Sequence, residues 1–160
     1  MGELSEFPLA TRLFLKTYQW RRIDPVPWTV LSKPLARCRL GLISTAGFVG
    51  PSDIPFDVTI RGGDSSFREI PGDIQVSQLR EHHRSDAFDH QGLAADPNLA
   101  FPIDRLRELV NRGRIGGLNA RHLSFMGSIT ATGRLQRDVL PLAARLFEED
   151  GVDVALLVPV

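Results

Sequence analysis

One cysteine, Cys38, is the only thiol in this 160-residue sequence. A lone thiol excludes an internal disulfide and fits a chain that works in the reducing cytoplasm. An excess of charge of one sign is missing too. Lys plus Arg and Asp plus Glu number 19 each, so no net field draws the chain to nucleic acid or to an anionic membrane. Long hydrophobic runs are absent. The longest, Val152 to Val160, is interrupted by Asp153 and is far too short to span a bilayer. The opening residues Met1-Gly2-Glu3-Leu4-Ser5-Glu6 hold two acids and no apolar core, so no signal peptide is expected. What remains is the composition of a soluble globular domain, 42% hydrophobic and 24% charged, and long enough to bury a core. Basic side chains gather early, at Arg12, Lys16, Arg21, Arg22, Lys33, Arg37 and Arg39, and read as a solvated face.

The pattern predicts an α/β fold of three layers, with a mostly parallel sheet and an extended N-terminal arm. Residues 1–37 are expected to form the arm and residues 38–160 the α/β domain. Leu9 to Tyr18 suits a short helix, whereas Asp24-Pro25-Val26-Pro27-Trp28 favours extended chain, because each proline fixes φ and restricts its predecessor. Trp20 and Trp28 are expected to pin the arm over the core. Cys38 opens an apolar run, Arg39 to Ser44, and reads as a packed thiol at the start of a strand covered on both faces. Phe67 to Ile70 and His122 to Met126 suit two further strands, and Val76 to Glu81 one or two helical turns. Ile103, Leu106, Leu109 and Val110 recur at helical spacing after Pro102 and before Gly113, which predicts a helix with its stop. Asp104, Arg105 and Arg107 fall on its exposed side. A second helix is expected from Thr132 to about Asp150, kinked at Pro141. Gly151 then turns the chain into Val152–Val160, whose apolar continuity predicts a central parallel strand.

Ligands in open α/β sheets bind beyond the carboxyl ends of the strands. Thr45 and Gly47 after the first strand, and Gly127 after the strand at His122, are therefore candidate substrate-binding residues. Asp64 follows Gly62-Gly63 in a turn able to present backbone amides to an anion, or simply to turn the chain. The densest polar group is His83, Asp86, Asp89 and His90. It can bind a zwitterionic substrate, transfer a proton through His83 or His90, ligate a metal, or bond its own loop. The spacing is not that of a known metal motif, so no metal is assigned. His122 and Ser124 share one face of their strand without a third partner, and read as structural.

Several strings occur together in one family: Ser44-Thr45-Ala46-Gly47, Pro55-Phe56-Asp57, Gly63 to Pro71, His83-Arg84-Ser85-Asp86, Asp96-Pro97-Asn98, Phe101 to Leu106, Gly113-Arg114-Ile115-Gly116, His122 to Gly127, and Asp150-Gly151-Val152-Asp153 through Pro159-Val160. From about residue 38 onward the chain resembles the glycine/betaine/sarcosine/D-proline reductase selenoprotein B family, in its short form, similar to the D-proline reductase selenoprotein subunit. The resemblance implies that the final strand leads into a selenocysteine (or cysteine), with a cysteine three positions later and a helix. A selenocysteine codon read as a stop would then give an end at Val160, as would a deliberate or natural truncation. The implied reaction is reductive cleavage of a substrate's α-C–N bond, with a disulfide as the oxidised partner and a dithiol as reductant. Implied partners are other reductase subunits, one of them carrying a pyruvoyl group in the D-proline branch, and a thioredoxin-like dithiol donor. An oligomer in the cytoplasm is expected, with no cofactor held by this chain itself. Three alternatives stay open: an oxidoreductase of the same fold acting on a non-amino-acid substrate, a non-catalytic assembly subunit, and a metal-dependent hydrolase using the His/Asp cluster.

Overall fold

Arg39–Ser44 (β1) organises the sheet, since its alternate side chains are apolar on both faces and it is paired along both edges. The computed structural model describes residues 7–18, 22–85 and 89–160. The chain forms two units, residues 1–30 and 31–160. The first contains helix α1 (Leu9–Thr17), which begins after Pro8 and ends with the Thr17 hydroxyl donating back to the Leu13 and Phe14 carbonyls. Trp20, expected to pin this segment, lies outside the described residues.

In the second unit, β1 is followed by β2 (Phe48–Val49), β3 (Phe67–Pro71), β4 (Arg80–Glu81), α2 (His90–Ala95), α3 (Ile103–Asn111), β5 (Gly117–Leu118), β6 (Arg121–Phe125), α4 (Thr132–Arg134), α5 (Leu140–Glu149) and β7 (Val154–Val158). β5, β6 and β7 all run parallel to β1, and β3 lies antiparallel on the outer side of β6. β2 and β4 form a separate antiparallel pair. The α/β class and the mostly parallel sheet therefore stand as expected. Val76–Gln78 is a single 3-10 turn and Arg80–Glu81 a strand, where helical turns were expected throughout.

One face of β1 packs through Leu40 and Leu42 against Ile103 and Leu106 of α3, together with Phe48 and Phe101. The opposite face contributes Ile43 to a cluster of Leu123, Phe125, Ala143 and Phe147 from β6 and α5. Helices thus cover both sides of the sheet, which is the three-layer arrangement. Each large side chain taken out of water in these clusters contributes about 1.5–3 kcal/mol before conformational entropy is set against it. The connection from β1 to β6 passes over the α3 face and that from β6 to β7 over the α5 face. Direction and face reverse together, which keeps the two crossovers of one hand.

β7 corrects the expectation of a central strand. Among the described residues it pairs with β1 alone, so it is an edge, and β1 is central. Its apolar continuity has a different cause. Val154, Leu156 and Val158 are half-buried toward the α3 face, while Ala155 and Leu157 are exposed on the α5 face. Pro141 does interrupt the long helix. Leu135–Val139 winds as a wide π-type turn, and α5 restarts at Leu140 with the proline in its first turn, where no N–H is needed. No helix among the described residues is long and apolar enough to cross a membrane.

Candidate functional site

Parallel pairing brings the carboxyl ends of β1, β6 and β7 to one rim. Thr45, the residue after β1, ties β1 to β7. Its N–H donates to the Val158 carbonyl at 3.1 Å, and its hydroxyl accepts the Val160 N–H at 2.9 Å. Gly47 takes a positive φ of 70° and donates its N–H to the Phe125 carbonyl at 2.8 Å, closing the turn onto β6. Its own carbonyl accepts the His82 N–H at 2.9 Å, which carries the next loop to the rim.

His83 arrives there as a result. Gly127 adopts a φ of 82°, and a Cβ on it would sit 3.1 Å from His83 Nε2 and closer still to the Thr45 carbonyl. Only a glycine leaves room for the imidazole and the β1 end to meet beside β6. His83 Nδ1 accepts the Ser85 N–H at 3.2 Å, so the neutral ring carries its proton on Nε2, the nitrogen facing the rim. Burial lowers the pKa of His83 below the usual imidazole value. The Glu81 carboxylate opposes that effect, and the charges of His90 and Arg84 add to it. Arg84 spans the same region, donating to the Ile60 carbonyl at 3.0 Å and lying 3.4 Å from the Ser128 hydroxyl.

The other predicted residues are placed as follows. His90 contacts Glu81 and Ser85. Its Nδ1 lies 2.6 Å from Glu81 and its Nε2 3.1 Å from the Ser85 carbonyl. Asp89 caps α2, accepting the Gly92 N–H at 2.9 Å. Asp86 lies outside the described residues. Asp64 is buried and turned into its own loop, accepting the Asp57 N–H and both the N–H and hydroxyl of Ser66. Burial works to raise the Asp64 pKa, but those hydrogen bonds and Arg68 outweigh it and hold the carboxyl below its ordinary value. The Gly62-Gly63 turn packs against Ser128, Ile129 and Ala131, and its carbonyl at Gly62 accepts from Thr130 and Ala131. Among the described residues no three His, Cys, Asp or Glu side chains gather as a metal site would need.

Two features escaped the sequence reading. Glu81, with no motif around it, holds both the His83 backbone N–H and the His90 ring. Arg107, expected on an exposed face, is half-buried and donates to the Gly72 and Ile74 carbonyls at 2.9 and 2.7 Å. The pattern signal for Arg107 is weak because i,i+3 pairing with Asp104 looks the same on any solvated helix.

Comparison with known proteins extends this picture. The family model described as glycine/sarcosine/betaine reductase selenoprotein B matches residues 8–159. The chain is 35% identical over 136 residues to the D-proline reductase subunit gamma of Acetoanaerobium sticklandii, an alignment covering 84% of this chain and 54% of that protein. It is 25% identical over 150 residues to the sarcosine reductase complex component B subunit beta of Peptoclostridium acidaminophilum, covering 90% of this chain and 33% of the relative. The chain thus spans about half the length of the first relative and a third of the second. No solved structure is significantly similar to it.

Proposed function

The chain belongs to the glycine/sarcosine/betaine reductase selenoprotein B family, and on that premise we propose that its C-terminal rim binds the amino-acid or betaine-like substrate whose α-C–N bond the whole reductase cleaves. The observation that supports this reading is the convergence of Thr45, His83 and Gly127 on the end of β7. A zwitterionic substrate needs donors and a cation for its carboxylate. The Arg84 guanidinium supplies the cation, and the His83 Nε2–H, buried until a ligand displaces what covers it, supplies a donor. Asp64, Asp86 and Asp89 are less suited to bind that carboxylate, being of like charge. Asp64 and Asp89 also serve their own turns.

A redox residue following β7, expected as selenocysteine with a cysteine three positions on, would supply the nucleophile and the electron pair that an external dithiol restores. The rim fits such a residue. The Thr45 hydroxyl fixes the backbone of Val160, and Gly127, having no Cβ, lets the buried Nε2 of His83 pack against that end of the sheet. His83 acts chiefly through its Nε2–H, holding the substrate's carboxylate or the departing amine. Full proton transfer from a His83 imidazolium would first require loss of the Ser85 N–H bond to Nδ1, and is therefore favoured only on the acid side. His90, the second proton-transfer candidate, acts indirectly through Glu81. The reaction belongs with oxidoreductases that join X–H and Y–H groups into a bond, the acceptor being a disulfide. Both relatives are named as subunits, which supports assembly with other reductase subunits. A pyruvoyl-bearing partner, a thioredoxin-like donor, an oligomeric state and a cytoplasmic site complete the proposal.

The test is binding, which needs no redox group. Titrating isotope-labelled chain with glycine, sarcosine, glycine betaine and D-proline at millimolar concentrations should shift the amides of Thr45, Arg84 and Gly127 and the ring of His83 for at least one ligand. Shifts confined to other surfaces, or none with any of the four, would overturn the assignment of the rim.

A further inference from the structure

Glu81 stands at the end of β4, paired to Phe48 of β2, and is half-buried. Its two carboxylate oxygens divide their work. Oε1 accepts the backbone N–H of His83, and Oε2 lies 2.6 Å from Nδ1 of His90. The remaining nitrogen of His90 faces the Ser85 carbonyl at 3.1 Å. A carbonyl can only accept, and a carboxylate at 2.6 Å ordinarily does too, so this geometry is satisfied by His90 with protons on both nitrogens. One carboxylate therefore gathers the start of the loop at His83 and the start of α2 at His90, and through His90 it reaches Ser85 as well. The Ser85 N–H in turn fixes the His83 ring.

We propose that Glu81 is the positioning residue of the rim: its carboxylate holds His83 against Thr45 and Gly127 and couples that imidazole to His90. This rests on the reading of His83 as the donor of the rim, but the hold itself is measurable on the imidazole whatever the rim binds. Among the described residues, those that face His83 include Glu81 from β4, His90 from α2, Arg84 next along the chain, and the uncharged Thr45 carbonyl and Gly127 beyond β1 and β6. Asp86, three residues on, is outside the described residues. Of the described groups only Glu81 favours the imidazolium, while His90 and Arg84 disfavour it. Removing Glu81 or His90 should therefore move the protonation of His83 in opposite directions, a pattern that a purely structural loop contact does not produce.

The experiment follows the His83 ring proton by NMR across pH in the 160-residue chain and in two variants. Glu81→Gln keeps size and acceptor but removes charge, and is expected to move the His83 titration midpoint down. His90→Gln removes the opposing cation, and is expected to move it up. A thermal melt of each variant reports whether the fold is kept. A His83 midpoint unmoved by Glu81→Gln, or lowered by His90→Gln, would overturn the proposal. Should Glu81→Gln fail to fold, the His90→Gln direction decides alone. Failure of any substrate to bind the rim would remove the functional reading and leave this coupling standing.

Discussion

His122 shows how a residue read as structural from the sequence acquires its particular task only from the fold. Alternation with Leu123 and Phe125 places it on a strand face with Ser124, which the structure bears out, and both are fully buried. Its task comes from a register slip that no local pattern announces. Arg39 faces Gly117 on β5, yet Ile43 faces Leu123 on β6, so the outer run spends six residues against four of β1. Inside that bulge the Leu42 N–H has no ladder carbonyl, and His122 Nδ1 accepts it at 3.1 Å. Burial, with Arg107 adding to it, lowers the pKa of His122 to about 4. The sign of the consequence follows directly. Between the unfolded value near 6.5 and about 4, the unfolded chain binds the extra proton and the folded one does not. Stability is full above that window and falls as pH drops through it, by up to about 3 kcal/mol from this residue. His122→Asn keeps an acceptor for Leu42 but cannot titrate. Urea unfolding at several pH values between 4 and 7.5 should show a shallower acid decline in the variant. Equal slopes would mean that the ring is not held neutral in the fold.

Among the elements, β1 and α5 meet closely at Gly41. Gly41 lies on the α5 face, and a Cβ there would come within 2.5 Å of the Phe147 ring. The Phe147 ring is backed by Leu123, Phe125 and Ala143 and gives way less readily than a lysine tip, so Gly41→Ala should cost about 1–3 kcal/mol through overpacking. Phe147→Leu in the same chain should recover part of that loss, and a double-mutant cycle on unfolding free energies would measure the coupling. Additive losses would place the strain elsewhere. At this scale the sequence was most legible where periodicity is strong. α3, β1, β6 and the break at Pro141 appear close to where the pattern puts them, because helix spacing and proline geometry are local. β7 departs from the expectation because an apolar run reports how well the two faces can be covered and says nothing of which strands pair along its edges. Its partner choice is set by β1, more than a hundred residues away. β2, β4 and β5 are two residues each, too short to leave any period. Likewise the histidine cluster was seen as one polar group because its members are close in sequence. The structure separates them by role: His83 beside Gly127, His90 on Glu81, and Asp89 at a helix cap.

Across the whole molecule, the distribution of chemistry along β1 decides what these 160 residues can do by themselves. Their one thiol, Cys38, precedes β1, is fully buried, and lies 3.4–3.5 Å from the Lys33 and Pro34 carbonyls. Thr45 and the rim follow β1 at its other end, roughly 20 Å away at the rise of an extended chain. No rotamer change carries a buried sulfur over that distance, so Cys38 cannot serve a substrate held beside His83. The same strand therefore separates the packed, inert thiol from the rim proposed to bind substrate. On the α5 side of β7, a groove of about 550 Å³ lined by Leu135, Leu140, Ala155 and Leu157 runs up to Thr45 and Gly127 of the rim, and only Glu148 and Asp153 bring charge to it. Its apolar walls suit packing, and its polar end at Thr45 is part of the rim proposed above to bind a zwitterion. The expected outcome is binding without turnover. With dithiothreitol and any of glycine, sarcosine, glycine betaine or D-proline, the 160-residue chain should release no amine above a protein-free control. The rim amides should still respond to a ligand under the same conditions. Amine release that persists in a Cys38→Ser variant would show a reducing centre within these residues and would overturn the division. Release abolished by Cys38→Ser would instead show that the thiol reaches the rim, against the burial and distance that separate them.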